Sequence, residues 1–170
     1  MISTKRLEIH FSAPIDRPTK SIETQVRWLN DQEIVRYSEQ RHKKHNLETQ
    51  KSYLGRFASS GNKLGEVYLD GKLIGTVTAY IDKPNSVANV GILIGEKSIW
   101  GQGYGHEAWR GFCNYLLDNG VRKIEAGMMG INFGMIHICR KYGMQQEGRL
   151  TDHFWIEGQL VDLVMFGKTR

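Results

Sequence analysis

The chain of 170 residues has little cysteine and proline, with two and three residues, and no apolar run as long as a membrane span. About 18 to 20 consecutive apolar residues are needed to cross a bilayer, so we expect no membrane segment and no membrane partner. The first residues also lack an apolar secretory region followed by a small-residue cleavage site. These absences lead us to expect a cytoplasmic protein.

A pattern of metal ligands is also missing. The six histidines are scattered, and none stands at a zinc-type spacing from a cysteine or a carboxylate. Both cysteines, Cys113 and Cys139, fall in helical patterns, where a small buried hydrophobic residue is a commoner role than a disulfide or a metal ligand. We therefore expect no metal cofactor.

Positive charge is in modest excess. The chain has 23 Lys and Arg against 18 Asp and Glu, a formal net charge of +5, which suggests an anionic partner. Basic residues gather between Arg36 and His45, although such a run is also typical of a solvated loop. The run lacks the regularly interleaved aromatic residues of a single-strand binder. We expect no nucleic-acid partner.

Apolar periodicity predicts an alternation of strands and helices, and hence a mixed α/β fold in one domain, residues 1–170. Strands are predicted at residues 6–12, 64–69, 73–81, 88–95, 123–129, 144–150 and 160–167. Helices are predicted at 21–30, 33–36 and 47–58, from the glycines near 105 to 120, and from 132 to 143, with a loop at 14–18. The unbroken apolar core of 88–95 is typical of a central strand buried on both faces.

Three alternating glycines, Gly101, Gly103 and Gly105, follow the fourth predicted strand and open a helix. Glycine lets the main chain turn sharply and approach a ligand closely. The N-terminus of a helix offers unpaired N–H groups and a partial positive charge, so this arrangement is typical of a backbone site for phosphate. A dinucleotide-binding fold would instead place such a loop after its first strand.

The loop at residues 100–105 is similar to the pyrophosphate-binding signature of the GNAT superfamily of N-acetyltransferases. Asn132 and the segment 138–144 resemble the asparagine, helix and glycine that end the same region in that family. The segment 146–150 looks like the subgroup of ribosomal-protein alanine and amino-sugar acetyltransferases. The resemblance implies an α+β fold with a twisted, largely antiparallel sheet of about seven strands, flanked by helices and splayed between strands four and five.

The resemblance implies acetyl-CoA as the cosubstrate, held by the end of the fourth strand and by the glycine loop. The residues implied in its binding are Ile92, Leu93, Ile94, Gln102, Gly103, Tyr104, Gly105, His106 and Asn132. Trp100 stands where the family usually has Arg or Gln. One contact to the phosphates is therefore lost, or is supplied by Gln102.

Two positions depart from the family's proton-transfer residues. Cys139 stands where many members have a tyrosine that protonates the departing thiolate, and Asn89 where the family often has a glutamate acting as a water-mediated base. Together with Asn132 they are the catalytic candidates. A core cysteine is the alternative for Cys139 and a simple helix cap for Asn132. Positioning of the two substrates can supply much of the rate without a strong base.

The acceptor is expected beside the first helices, and the candidate residues are Tyr37, Glu39, Arg41, His45 and His153. Glu39 can hold an ammonium group, whereas Arg41 and His45 can meet a phosphate or carboxylate. We expect direct acetyl transfer to the primary amine of a small molecule, with a nucleotide-linked amino sugar favoured by the basic loop. The alternatives are an N-terminal peptide or ribosomal-protein acetyltransferase, and a CoA-binding module without catalysis. A homodimer is also considered.

Overall fold

The computed structural model describes residues 1–11 and 17–170. The described strands are β1 (Ile2–Ser3), β2 (Leu7–His10), β3 (Lys63–Leu69), β4 (Lys72–Asp82), β5 (Val87–Ile94), β6 (Lys123–Met129), β7 (Gln145–Ile156) and β8 (Gln159–Thr169). The described α-helices are α1 (Thr19–Leu29), α2 (Leu47–Ser60), α3 (Tyr104–Asp118) and α4 (Phe133–Tyr142). Short 3₁₀ turns lie at Glu39–His42 and Lys97–Ile99.

The strands form one mixed sheet in the order β1-β2-β3-β4-β5-β6-β8-β7. β5 and β6 are parallel and pair only from Val87 with Lys123 to Asn89 with Glu125. The other neighbouring pairs of described strands are antiparallel. Since the pairing stops at Asn89, β5 and β6 separate towards their carboxyl ends. The predicted mixed α/β fold and the splay between the fourth and fifth predicted strands are confirmed.

The sheet has eight strands rather than about seven because β1 pairs with β2, with Ile2 opposite Ile9. A strand of two residues is too short to show an alternating pattern. β2 ends at His10, before the predicted end at Ser12, which lies outside the described residues together with residues 14–16 of the predicted loop. The last two strands are both longer than predicted because they pair with each other as one hairpin.

The first two predicted helices also need correction. α1 begins at Thr19, with Pro18 as its N-cap residue, rather than after Ser21. Ser21 lies inside the helix, where its hydroxyl donates to the buried carboxylate of Glu66. Residues 33–36 form hydrogen-bonded turns rather than a helix.

The prediction that residues 88–95 are buried on both faces is wrong. Asn89 is exposed, and Gly91, Ile92, Leu93 and Ile94 are half-buried. The apolar run fills only one face with core residues, because β6 has already separated from this part of β5.

Turn and cap residues predicted several loops and helix ends correctly. Asp70 and Gly71 join β3 to β4 with φ of 49° and 73°, the left-handed pair that a type I′ turn requires. Asn46 caps α2 in a capping box with Thr49. Gly143 ends α4 in the left-handed conformation, with φ of 87°.

The two faces of the sheet are covered by different helices. α3 buries Trp109, Phe112 and Leu116 against strand residues such as Val77 and Ile124. α1 and α2 lie on the other face, where Ile22, Leu54 and Leu64 form a smaller cluster. In the described part of the chain, no helix has the length and apolar character needed to cross a membrane.

Gly95, just after β5, lies against the indole of Trp28 near the end of α1, and a Cβ at Gly95 would overlap that ring. We expect Gly95→Ala to lower the free energy of unfolding by about 1–3 kcal/mol, because α1 must shift away from the sheet. Gly55→Ala is the matched control, since Gly55 lies in α2 with open space around it, and it should raise stability by up to about 1 kcal/mol. Urea unfolding of both variants measures the free energy of unfolding. Equal free energies for Gly95→Ala and Gly55→Ala would contradict the prediction.

Candidate functional site

The glycine loop forms a tight connection into α3. Gly101 and Gly103 have φ of 77° and 85°, which a residue with a side chain adopts at a cost. Gly103 is the N-cap residue of α3 and has no side chain to accept from the first N–H groups. Those N–H groups and the positive end of the helix can therefore hold an anion.

The third glycine of the loop brings α3 close to its neighbours. A Cβ at Gly105 would lie 3.3 Å from Cδ1 of Ile138 in α4 and 3.6 Å from Cγ1 of Ile94 at the end of β5. The first turn of α3 thus lies directly beside the end of the strand that has lost its partner. The loop and the open part of the sheet belong to one site.

Trp100 fastens the loop to the end of β5. Its indole Nε1 donates to the carbonyl oxygen of Ile94 at 2.9 Å, and its side chain is partly exposed. The side-chain amide of Gln102 donates to the carbonyl oxygen of Ser98 at 2.9 Å. Both side chains therefore stabilise the loop itself, and the contact between Gln102 and phosphate stays a prediction.

Arg6, which no sequence motif marks, lies against the same helix end. Its Nε donates to Oε2 of Glu107 at 2.7 Å, and its guanidinium carbon lies 4.0 Å from the ring centroid of Tyr104. The hydroxyl of Thr4 donates to Oε1 of Glu107 at 2.7 Å. No local pattern could reveal this contact, because Arg6 and Glu107 are 101 residues apart.

The charge of Glu107 is fixed by these contacts. Burial raises the pKa of this carboxyl group, but hydrogen bonds from Thr4 and Arg6 outweigh burial, and the net pKa is lowered. Glu107 is therefore ionised at neutral pH, and its negative charge in the first turn suits the helix dipole. The braced first turn gives the loop a defined geometry.

His106 lies on the side of α3 that faces α4. Burial lowers its pKa, and the positive charges of Lys141, Arg110 and His137 lower it further. Within the described residues its Nε2 is buried and has no hydrogen-bond partner. A neutral imidazole among basic side chains can meet an anionic group that enters between α3 and α4.

Asn132 stands at the other side of the opening, after β6. It caps α4, with its Oδ1 accepting from the backbone N–H of Met135 at 3.2 Å. The interpretation of Asn132 as a helix cap is confirmed. Its side chain is half-buried, and its catalytic and binding roles stay predictions.

Cys139 lies in the core of the protein, with 0% of its surface exposed. Burial raises the pKa of its thiol to about 12. Tyr142, the next buried residue of α4, donates its hydroxyl to Oδ1 of Asn114 at 2.8 Å, and burial raises its pKa to about 12. Both groups stay protonated at neutral pH, and both pack between α4 and the rest of the core.

The segment 31–42, which we call the strap, runs past the open end of the sheet. At one end, Lys97 beyond β5 pairs with Asp31 at 2.9 Å and with Glu33 at 2.7 Å. Towards the other end, Arg36 pairs with Glu157 in the β7–β8 turn at 2.8 Å. The strap therefore connects the two sides of the opening.

Three predicted acceptor residues lie together on the strap. Tyr37 packs against a cluster that includes Met129 and Phe154. Arg41 donates to a carboxylate oxygen of Glu39 at 2.8 Å and to the carbonyl oxygen of Trp155 at 3.4 Å. Tyr37, Glu39 and Arg41 are thus brought to the β7–β8 hairpin.

The other two acceptor candidates are placed differently. His45 is held through its backbone, whose N–H donates to Oδ1 of Asn30 at 2.9 Å. His153 is exposed on β7, with its ring edge-on to Phe154 at 4.8 Å. In the described part of the chain, neither histidine makes a hydrogen bond or ring contact with the strap candidates. No group of three or more His, Cys, Asp or Glu among the described residues could hold a metal ion.

A sheet that opens beside a glycine-capped helix can hold an anionic cosubstrate with backbone groups. A family model described as an acetyltransferase (GNAT) domain matches residues 15–145. The chain belongs to the GNAT acetyltransferase family.

Individual relatives agree with this assignment. A protein of Bacillus licheniformis, described as the uncharacterized N-acetyltransferase p20, is 31% identical over 87 residues, which are 51% of this chain and 48% of that protein. The match thus spans about half the length of the curated relative.

Solved structures share the fold over nearly the whole chain. RimL, described as a ribosomal alpha-N-protein acetyltransferase in complex with coenzyme A, has a TM-score of 0.84 at 13% identity, covering 99% of this chain and 96% of that one. A chimera of the spermidine N-acetyltransferase SpeG from Vibrio cholerae and hSSAT has a TM-score of 0.82 at 16% identity, covering 97% and 96%.

Proposed function

We propose that the protein transfers an acetyl group from acetyl-CoA to a primary amine. The observation that supports this most strongly is the parallel pairing of β5 with β6 that stops at Asn89, next to a helix whose N-terminus is free to bind phosphate. The pyrophosphate would bind the amides from Gln102 to His106. The thioester would lie along the unpaired edge of β5, with backbone groups of Ile92 to Ile94 beside it.

The reaction needs a neutral amine, a polarised carbonyl and a thiolate that can leave. A backbone N–H on the free edge of β5 can donate to the carbonyl oxygen, which gains negative charge as the amine attacks. Binding both substrates in line supplies a large part of the rate, roughly 7 kcal/mol in favourable intramolecular models. The chain's main contribution is then to position and desolvate the reactants.

Cys139 serves packing rather than proton donation in this proposal. Its pKa of about 12 makes the thiol a poor acid, because a catalytic pKa near the working pH is the most effective. Its complete burial also separates it from the opening. The departing thiolate would instead take its proton from the attacking nitrogen or from solvent.

The acceptor is proposed to be a small molecule that carries both an amine and an anionic group, such as a nucleotide-linked amino sugar. The anionic group of such an acceptor is suggested by three nearby cations, Arg41 and the exposed Lys43 and Lys44. Arg36 and Arg41 each have a carboxylate partner already, so the strap is less positive than its composition suggests. Peptide N-termini are therefore the second candidate, and they need no anion site.

The function is tested by following thiol release from acetyl-CoA with a panel of amino sugars, nucleotide-linked amino sugars, polyamines, amino acids and peptides. We expect turnover with at least one primary amine, and the highest kcat/KM with an anionic amino sugar. Turnover with peptides alone would overturn the acceptor class. Tight CoA binding without thiol release from any amine would show a binding module and overturn the enzymatic proposal.

The glycine loop is tested by CoA binding. Gly103→Val places a branched side chain at φ of 85°, and Gly105→Val drives a side chain into Ile138, so both should weaken CoA at least tenfold. Trp100→Arg is the comparison. It removes the indole hydrogen bond to Ile94 but keeps the loop amides and adds a positive charge, so the affinity for CoA should change far less. Calorimetric titration with CoA measures all three, with melting temperatures as the control for folding. Equal losses in the three variants would show that amides do not dominate binding.

The two buried cysteines offer a matched test of proton donation. Cys113 lies in α3 and Cys139 in α4, and both are fully buried. We expect Cys139→Ala and Cys113→Ala to lower stability similarly and to leave kcat nearly unchanged. A general acid contributes about 10²–10⁴-fold, so a kcat loss in that range for Cys139→Ala alone would show that Cys139 is the proton donor.

A further inference from the structure

Three side chains form one row across the centre of the sheet. Tyr80 in β4 is paired with Asn89 in β5, and Asn89 is paired with Glu125 in β6. Their chain neighbours Ala88 and Ile124 are both 0% exposed in the core under α3. Because side chains alternate along a strand, the row faces the opposite surface, the side of α1 and α2. We call Tyr80, Asn89 and Glu125 the vertex row, since β5 and β6 separate immediately after it.

The vertex row lines a surface cavity of about 690 Å³. The end of β4, the start of β5 and the start of β6 supply most of its wall, and Asn62 adds the loop after α2. The cavity thus lies at the closed end of the split, where a group lying along the free edge of β5 would end. The cavity and the closed end of the split therefore share Asn89 and Glu125 in their walls.

The basic side chains of the cavity already have partners. Lys123 pairs with Glu147 at 2.6 Å, and Arg122 donates to the carbonyl oxygen of Asn85 at 3.3 Å. Glu125 is half-buried and has no hydrogen-bond or ion-pair partner among the described residues. The Glu147 carboxylate lies over Gly167, the register partner of Glu125 in β8, so Glu125 faces a second carboxylate whose Lys123 partner is already engaged. A partly buried carboxylate without an ion pair of its own favours the binding of a cation.

The other polar groups around Glu125 also favour a cationic ligand in this cavity. Asp82, at the cavity rim, accepts from the side-chain amide of Asn85 at 2.7 Å and adds negative charge. The hydroxyls of Tyr80 and Tyr53 lie 3.1 Å apart, and burial is the main reason that the pKa of Tyr53 is raised. Asn89 carries no charge and can accept a hydrogen bond from an ammonium group.

We propose that Glu125 binds the protonated amine of the acceptor and takes its proton before acetyl transfer. This inference rests on the proposed function and identifies the reacting end of the acceptor as a cationic primary amine. One proton passes from the ammonium nitrogen to Glu125 and later to solvent. The neutral nitrogen then forms the N–C bond, the C–S bond breaks, and the second proton lost by nitrogen goes to the thiolate. The products are the amide, free CoA and one released proton.

Glu125→Gln tests the proposal, with Glu23→Gln as the control. Glu23 is exposed on α1 and has no hydrogen-bond or ion-pair partner within the described residues. For the best amine of the panel, we expect Glu125→Gln to lower kcat/KM about 100-fold at pH 7, with KM for acetyl-CoA and the melting temperature unchanged. Glu23→Gln should match the wild type in kcat/KM for the amine, in KM for acetyl-CoA and in melting temperature.

The pH profile separates proton transfer from a structural role. The loss in Glu125→Gln should shrink as the pH rises, because the fraction of amine that is already neutral grows about tenfold per unit below its pKa. Glu125→Asp keeps a carboxylate and should recover part of the rate. The inference would be overturned if Glu125→Gln left kcat/KM unchanged, or lowered it equally at every pH. The proposed function would still stand in that case, as long as the wild type releases thiol. Absence of thiol release by the wild type would overturn both.

Discussion

The parallel pairing of β5 with β6 ends after three residue pairs, and the site depends on that early end. Beyond Asn89 the backbone edges that face each other have no strand partner, and backbone groups need hydrogen bonds when they leave water. A sheet that closed fully would satisfy them internally and leave no entry. The open edges can instead be satisfied by water or by a bound chain of similar shape, such as the amide-rich arm of coenzyme A.

Parallel strands also bring their carboxyl ends to the same edge of the sheet, and each strand here leads to a helix. β5 is followed by the glycine loop and α3, while β6 is followed by Asn132 and α4. Two helix N-termini therefore lie at the open end of the split, one after each strand, and both direct partial positive charge there. The same topology that opens the sheet thus supplies the anion site, and no lysine in the loop is needed for it.

Ion pairs and apolar contacts both hold the strap at the open end of the sheet. Its ion pairs with Lys97 and Glu157 are largely exposed, and exposed pairs contribute little to stability because water screens them. The apolar contacts of Val35 and Tyr37 contribute more to holding it in place. Since Arg36 and Arg41 are both paired within the protein, the strap offers less positive charge to an anionic acceptor than its composition suggests.

Sequence patterns predicted those features of the fold that depend on residues close together in the chain. Turn residues such as Asp70 and Gly71 and the cap at Asn46 fix their own backbone, and apolar periodicity indicated most of the strands and helices between them. The brace between Arg6 and Glu107 joins residues 101 apart, and no periodicity reports such a contact. The apolar run of β5 also could not show that its neighbour departs halfway along, which is why its burial was predicted wrongly.

The vertex row gives a physical reason for the unusual residue at position 89. Neighbouring strands lie about 4.8 Å apart, so a carboxylate at that position would stand directly beside Glu125, its partner in the register. Two carboxylates at that distance repel, and the pair would share a proton rather than carry two charges. An asparagine avoids this repulsion and leaves Glu125 as the carboxylate of the vertex row. Under the proposed role of Glu125, amine chemistry needs no acid on β5, because β6 carries the carboxylate instead.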